Sequence, residues 1–348
     1  MALNLHTAVF RFVEDGEGII REGHNMKRFS QSILSLVISF ALCGGASAQW
    51  DFDGEPSLVE ITENVFRTQH APGAANSVVV VTDEGLVVVD GTCRGAGNPE
   101  WLKAELNRRF DVPVKYVILS HDHEDHICGL QVFDDTAATV SHAKAREHIL
   151  RENRNSSIPD IVFEDQMELF LGGKRFVLYY FGPTPSDNLI QIHIPDERVL
   201  IAPDISRAGR SLVLPDFRDA NVGNMIDVLE TLSKLNDVDI VVPGHWGVST
   251  QDSFLWYRVY LIALRDRVLD EMIAGASIEE ILENVTMEDY SHYGNHDLWL
   301  RSNIISMWDN MYRYREPNVN STGAGAYQSA YPIGYPIGGY GMGANRQP

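Results

Sequence analysis

Apolar and polar positions fall into alternating blocks that predict strands and helices in turn. "SVVVVTDEGLVVVDGT" (residues 77–92) holds two β-branched runs around the turn "DEG" and predicts a pair of strands. "NPEWLKAELNRRF" (residues 98–110) predicts a helix, with Asn98 as its cap and Pro99 at its first position. "VKYVILS" (residues 114–120) is an apolar strand that ends directly on a histidine cluster. "AATVSH", "RFVLYYFG", "LIQIHIP", "RVLIAPD" and "DIVVPGH" predict further strands, each ending in a polar or glycine-rich turn. Helices are predicted for "AKAREHILREN", for residues 222–236 and for residues 252–275, the last closed by Gly275. A further short helix follows the cap residue Ser277. Strands that alternate with helices and end on polar clusters predict an α/β protein with its site on loops at strand ends.

Composition narrows this only a little. The chain has 348 residues, room for one large domain or two small ones with a sizeable core. Its formal net charge of −20 disfavours nucleic-acid phosphates and anionic membrane surfaces as partners. A small-molecule substrate is the expected partner. Residues 26–48 read as a signal peptide: Lys27 and Arg28, then an apolar stretch over residues 33–42, then "ASA". Cleavage after Ala48 and export to the periplasm or medium are expected, with no stable membrane insertion afterwards. Residues 1–25 then read as an over-extended start, residues 49–315 as the folded domain with C-terminal helices from about 252, and the Gly/Pro/Tyr-rich residues 316–348 as a disordered tail. Export leaves two cysteines. Cys93 and Cys128 are able to form one disulfide, and a small buried residue is the preferred reading of Cys128.

The chemistry concentrates in "HDHEDH" (residues 121–126), three histidines and three acids in six positions. A borderline metal such as zinc takes imidazole nitrogen and carboxylate oxygen. His121 and His123, two apart at a strand end, are able to face one side; Asp125 and His126 follow on the turn and suit a second, adjacent position. The bland alternative is a loop rich in histidine by chance.

H-x-H-x-D-H after an apolar strand resembles the signature of the metallo-β-lactamase fold superfamily, which includes β-lactamases, glyoxalase II-type thioesterases and lactonases. The resemblance runs over roughly residues 58–314. It implies an αββα sandwich of two mixed sheets with outer helices, metals at one edge and a C-terminal helical extension. "VVVDGT" places Asp90 beside the metals, where it would hold a ligand histidine. "RVLIAPDIS" makes Asp204 the residue shared by two metals, and "VVPGHW" makes His245 a ligand of the second. One motif departs. Where the family offers a third histidine for the first metal, in a stretch like "GPTHSDN", this chain reads "GPTPSDN" and supplies Pro185. Proline carries no ligand atom and restrains the backbone. The resemblance thus implies a second site served by Asp125, His126, His245 and Asp204, and a depleted first site left with His121, His123 and a share of Asp204. Asp187 on the same loop is a candidate substitute, and His193 on the next strand a weaker one.

The implied activity is zinc-dependent hydrolysis of an ester, thioester, lactone or β-lactam by attack of metal-bound hydroxide, with Asp125 orienting the nucleophile. The alternatives are a metal- or ligand-binding pseudoenzyme, motivated by Pro185, and a small-molecule phosphodiesterase. Trp246 is expected to line the pocket. His142 and His148 read as surface or core residues. His292 and His296 are set aside as ligands because Gly294 and Asn295 interrupt a helix there.

Overall fold

A computed structural model describes residues 54–70, 73–217 and 220–314. The expected signal peptide, the segment before it and the tail lie outside these residues.

Among the described residues, twelve strands form two mixed sheets. The first runs in the order β1 (Ser57–Thr62), β2 (Val65–Gln69), β3 (Val78–Thr82), β4 (Gly85–Val89), β5 (Val114–Ile118), β6 (Ala138–His142), β7 (Ile161–Phe163). It is antiparallel up to β4 and parallel from β4 to β7. The second sheet has the order β12 (Ile240–Pro243), β11 (Val199–Ala202), β10 (Gln191–Ile194), β9 (Lys174–Tyr179), β8 (Gln166–Leu171). Only its β11–β12 pair is parallel.

Side-chain alternation explains the layers. Val78, Val80, Val87 and Val89 point between the sheets, where they meet Phe176, Ile192 and Ile201 among others. Their neighbours Val79, Leu86 and Val88 point outward onto Leu102 and Leu106 of helix α1 (Pro99–Arg109). On the far side, Leu200, Ala202 and Val241 face α4 (Val222–Leu232), α5 (Asp252–Ala274) and α7 (His296–Tyr314). Strands covered on both faces have to be apolar throughout, which is why β3, β4 and β11 read as unbroken runs. The remaining helices are α2 (Glu124–Ile127), α3 (Ala143–Glu152) and α6 (Ile278–Asn284). Two outer helical layers around two sheets make the αββα sandwich, with C-terminal helices added.

Local signals set several boundaries. Asn98 Oδ1 accepts from Trp101 N at 2.9 Å and starts α1, with Pro99 as its first residue. Ser277 and Glu280 close a capping box on α6. Gly275, at φ +85°, ends α5 in a conformation that favours glycine. The helix expected over residues 222–236 stops earlier, at Leu232.

The topology also gathers the polar turns. β4 runs parallel to β5 and β11 parallel to β12, and each of these strands ends on one of the chemistry-bearing segments. Asp90 follows β4, the histidine cluster follows β5, Asp204 follows β11 and His245 follows β12. Carboxyl ends of parallel strands are where α/β proteins build their sites.

Candidate metal centre

Four turns converge on one point. His121 Nε2 lies 3.3 Å from Asp204 Oδ2, and His123 Nδ1 3.8 Å from the same oxygen. Asp204 Oδ1 faces the other way, 3.2 Å from His126 Nε2 and 3.4 Å from His245 Nε2. Asp125 Oδ2 lies 3.6 Å from His245 Nε2. Three overlapping groups among the described residues are able to hold a metal ion: His121, His123 and Asp204; Asp125, His126 and His245; and Asp90, His121 and His126. The two oxygens of Asp204 reach the first two of these, one each.

Counting protons supports this. Ser120 Oγ donates to Asp90 Oδ2 at 2.6 Å, because a carboxylate only accepts. The 2.9 Å contact between Ser120 Oγ and His121 Nδ1 therefore carries the ring's proton on Nδ1. His121 Nε2 is then a bare lone pair. It is fully buried, and among the described residues no aligned hydrogen bond reaches it. His126 Nδ1 donates to Asp90 Oδ2 at 3.0 Å, and His245 Nδ1 donates to Gly73 O at 3.1 Å. Both direct Nε2 inward, and those two atoms stand 3.2 Å apart. Two facing lone pairs at that distance need a proton or a metal ion between them. A buried orphan nitrogen, converging imidazoles and a shared carboxylate fit zinc by donor type.

In the metal-free protein a proton takes that role. Burial opposes charge on His126, but Asp204 and Asp90 outweigh it and raise its pKa well above the ordinary value. Burial likewise opposes ionisation of Asp204, yet the surrounding histidines hold it well below the usual carboxylate range. Burial, helped by His123 and His126, pushes His121 down to about 4.

Backbone strain marks the same turns. Asp90 (φ +59°), Asp204 (φ +51°) and Trp246 (φ +69°) all adopt left-handed conformations unusual for residues with a Cβ. Gly244 is required for a different reason. A Cβ there would stand 2.8 Å from both Asp204 Oδ1 and His126 Cε1. Asn76 braces this turn, donating through its side chain to Pro243 O and Trp246 O, both at 2.9 Å.

The matching family model is the metallo-beta-lactamase superfamily, over residues 70–245. The chain belongs to this superfamily. It is 29% identical over 251 residues to the alpha subunit of 2,4-dinitroanisole O-demethylase from Nocardioides sp. (strain JS1661), covering 67% of this chain and 71% of that one. It is 27% identical over 173 residues to metallo-beta-lactamase type 2 of Elizabethkingia meningoseptica, covering 49% and 69%. The fold of the metallo-beta-lactamase from Pontibacter korlensis superposes with a TM-score of 0.53 at 18% identity, over 60% of this chain and 99% of that one.

Within this superfamily member, Pro185 sits buried in the loop after β9. Asn224 anchors that loop by donating to Phe181 O and Pro183 O. Asp187, expected as a substitute, faces elsewhere: its carboxylate pairs with His148 Nε2 at 3.2 Å and accepts from Asn188 Nδ2 at 2.9 Å, and it enters none of the metal-capable groups. His193, on β10, is tied to Asp237 O at 2.9 Å and joins none of them. Asp90 does touch the cluster, through His126 and Ser120. The preferred reading of Cys128 as a free buried residue is overturned, since it is bonded to Cys93.

Sequence reasoning passed over Ser120, Asn76 and Arg207. Ser120 adjoins His121 and carried a local signal, a hydroxyl at a strand end. Asn76 lies about 170 residues from the turn it braces and carried none. Arg207, three residues after Asp204, lies between the indoles of Trp246 and Trp299, 5.0 and 5.1 Å from their centroids. Burial lowers its pKa to about 10 against the pull of Asp204, so it stays charged at neutral pH.

Proposed function

We propose that the chain is an exported, zinc-dependent hydrolase of a small molecule with an activated acyl bond: an ester, thioester, lactone or β-lactam. One observation carries this reading. Three imidazoles whose Nδ1 protons are fixed by outer partners turn their Nε2 atoms toward a single shared carboxylate. Asp125, His126 and His245 would hold one metal and His121 and His123 a second, weaker one, with Asp204 between them. Zinc held by such residues supplies a water acidic enough to ionise near neutral pH and a Lewis acid for the bond attacked.

The chain's own residues do the rest. Asp90 fixes the tautomers of His126 and, through Ser120, of His121. Asp125, at the rim with one oxygen 3.9 Å from Arg94 Nη1, is suited to orient an attacking water. Arg207, its guanidinium carbon within about 5 Å of two indole rings, supports a substrate with a negative group beside the scissile bond. No helix of the described residues is long and apolar enough to cross a membrane. The acidic balance supports a small-molecule partner over nucleic acid.

Pro185 favours a second reading, a pseudoenzyme that uses the same pocket to bind a ligand. Zinc- and manganese-loaded protein, assayed against an ester, thioester, lactone and β-lactam panel, separates the two. The O-demethylase relative adds 2,4-dinitroanisole to that panel. Turnover that disappears on chelation is the expected result. Metal-loaded protein inert towards every member would sink the hydrolase reading.

A further inference from the structure

The Cys93–Cys128 disulfide stands where it is able to act on the metal centre. Cys93 follows Asp90 by three residues, and Cys128 follows His126 by two. The same two segments are joined twice more. Gly91 N donates to His126 O at 2.7 Å, and His126 Nδ1 donates to Asp90 Oδ2 at 3.0 Å. Asp90 holds its side of this contact in a left-handed backbone conformation, which the surroundings have to maintain. Arg94, next to Cys93, brings its guanidinium within 3.9 Å of Asp125 Oδ2. Packing around the bond is close: a Cβ on Gly129 would stand 3.3 Å from Cys93 Sγ and 3.1 Å from Pro99 Cγ. Asn155 closes the other side, donating through Nδ2 to Cys128 Sγ at 3.3 Å. Cys93 as a residue is exposed, while Cys128 is buried.

We propose that this disulfide is the positioning link that keeps the Asp125–His126 turn in register with Asp90, so that metal retention in that half of the centre depends on the bond. The inference rests on the metal-dependent reading above. Reduction by a dithiol breaks the Cys93–Cys128 S–S bond and forms two S–H groups. The dithiol closes to a cyclic disulfide, so two electrons and two protons pass to the protein. The 91–94 segment then keeps only hydrogen bonds to the His126 turn. Asp90 loses its fixed hold on His126 Nδ1, and Arg94 its fixed place beside Asp125. The contact of Asp90 with Ser120 lies at the end of the β4–β5 ladder, where Asp90 N also donates to Ile118 O at 3.0 Å, and it survives. The His121–His123 half is therefore largely spared.

The test uses full-length zinc-loaded protein in three states: oxidised, reduced with a phosphine (which, unlike a dithiol, does not compete for zinc) and reoxidised. A Cys93→Ser/Cys128→Ser variant is measured beside them. Zinc affinity is read by chelator competition, the coordination by the visible spectrum after cobalt replacement, and folding by circular dichroism. Reduction and the double variant are expected to weaken the tighter zinc equivalent about 10- to 100-fold, as loss of an outer hydrogen-bond partner does, and to change the cobalt spectrum. The weaker equivalent should shift less than about threefold, and reoxidation should restore both readouts. Unchanged zinc affinity in reduced, folded protein overturns the proposal and leaves the hydrolase reading intact. So does a loss of both equivalents that merely follows unfolding. Oxidised protein that binds no zinc overturns the metal-dependent reading itself.

Discussion

The two halves of the centre are built from the same six-residue cluster, yet they are supported differently. In the half made by Asp125, His126 and His245, each imidazole has an outer partner: Asp90 for His126 and Gly73 O for His245. In the other half, His121 is tied through Ser120 to Asp90. His123 Nδ1 faces the shared Asp204 Oδ2 itself, at 3.8 Å, and its side chain is 36% exposed. On the proposed reading, the loop that would complete this half supplies Pro185, which is buried. Ligand chemistry alone does not separate the halves. What separates them is the hydrogen bonding behind each ring and one backbone loop.

The largest effect should come from the residue both halves share. Asp204→Ala is expected to lower zinc affinity in both by more than about a hundredfold, beyond what outer contacts contribute. Selective loss in one half, measured by equilibrium dialysis, would break the shared-carboxylate geometry. Asp90→Asn should cost about 10- to 100-fold, because it weakens the hold on His126 and His121 together. Chelator competition at two concentrations resolves the two equivalents; an effect confined to one would contradict the relay through Ser120. Ser120→Ala sharpens the contrast. It should weaken the His121 half by about tenfold and leave the His126 half within about twofold.

The smallest predicted effect is a proton count. Against the effect of burial, Asp204 and Asp90 raise the pKa of His126, which favours the protonated ring in the metal-free protein. A metal needs the neutral nitrogen, so zinc entering that half should release at least one proton. Affinity should accordingly fall as the pH drops and keep rising until the pH passes the raised value. Calorimetry in buffers of different ionisation heat reads the proton directly, and an observed heat independent of buffer would contradict the assignment.

Much of this was legible in the chain. Unbroken apolar runs announced the doubly covered strands, and the capping residues Asn98, Ser277 and Gly275 announced helix boundaries. Strands β1, β2, β7 and β8 were not read: β1, β7 and β8 lie at sheet edges and are half exposed, with only Leu169 buried in β8, whereas β2 is buried but short and mixes Arg67, Thr68 and Gln69 with Val65 and Phe66. Helix α7 was not read because Gly294 and Asn295 interrupt the helical pattern directly before it. Asp187 lay in the right loop, but a side chain's direction is set by its neighbours, here His148 and Asn188. The brace from Asn76 depends on contacts that no local pattern encodes.

On the proposed reading, one half of the centre is complete and the other is short at residue 185. Zinc titration of the wild-type protein and of Pro185→His, read by chelator competition, separates the possibilities. One tight and one weaker equivalent are expected in the wild type, with the weaker one tightened at least about tenfold by the histidine. Two equally tight equivalents in the wild type, or no change in the variant, would contradict that reading.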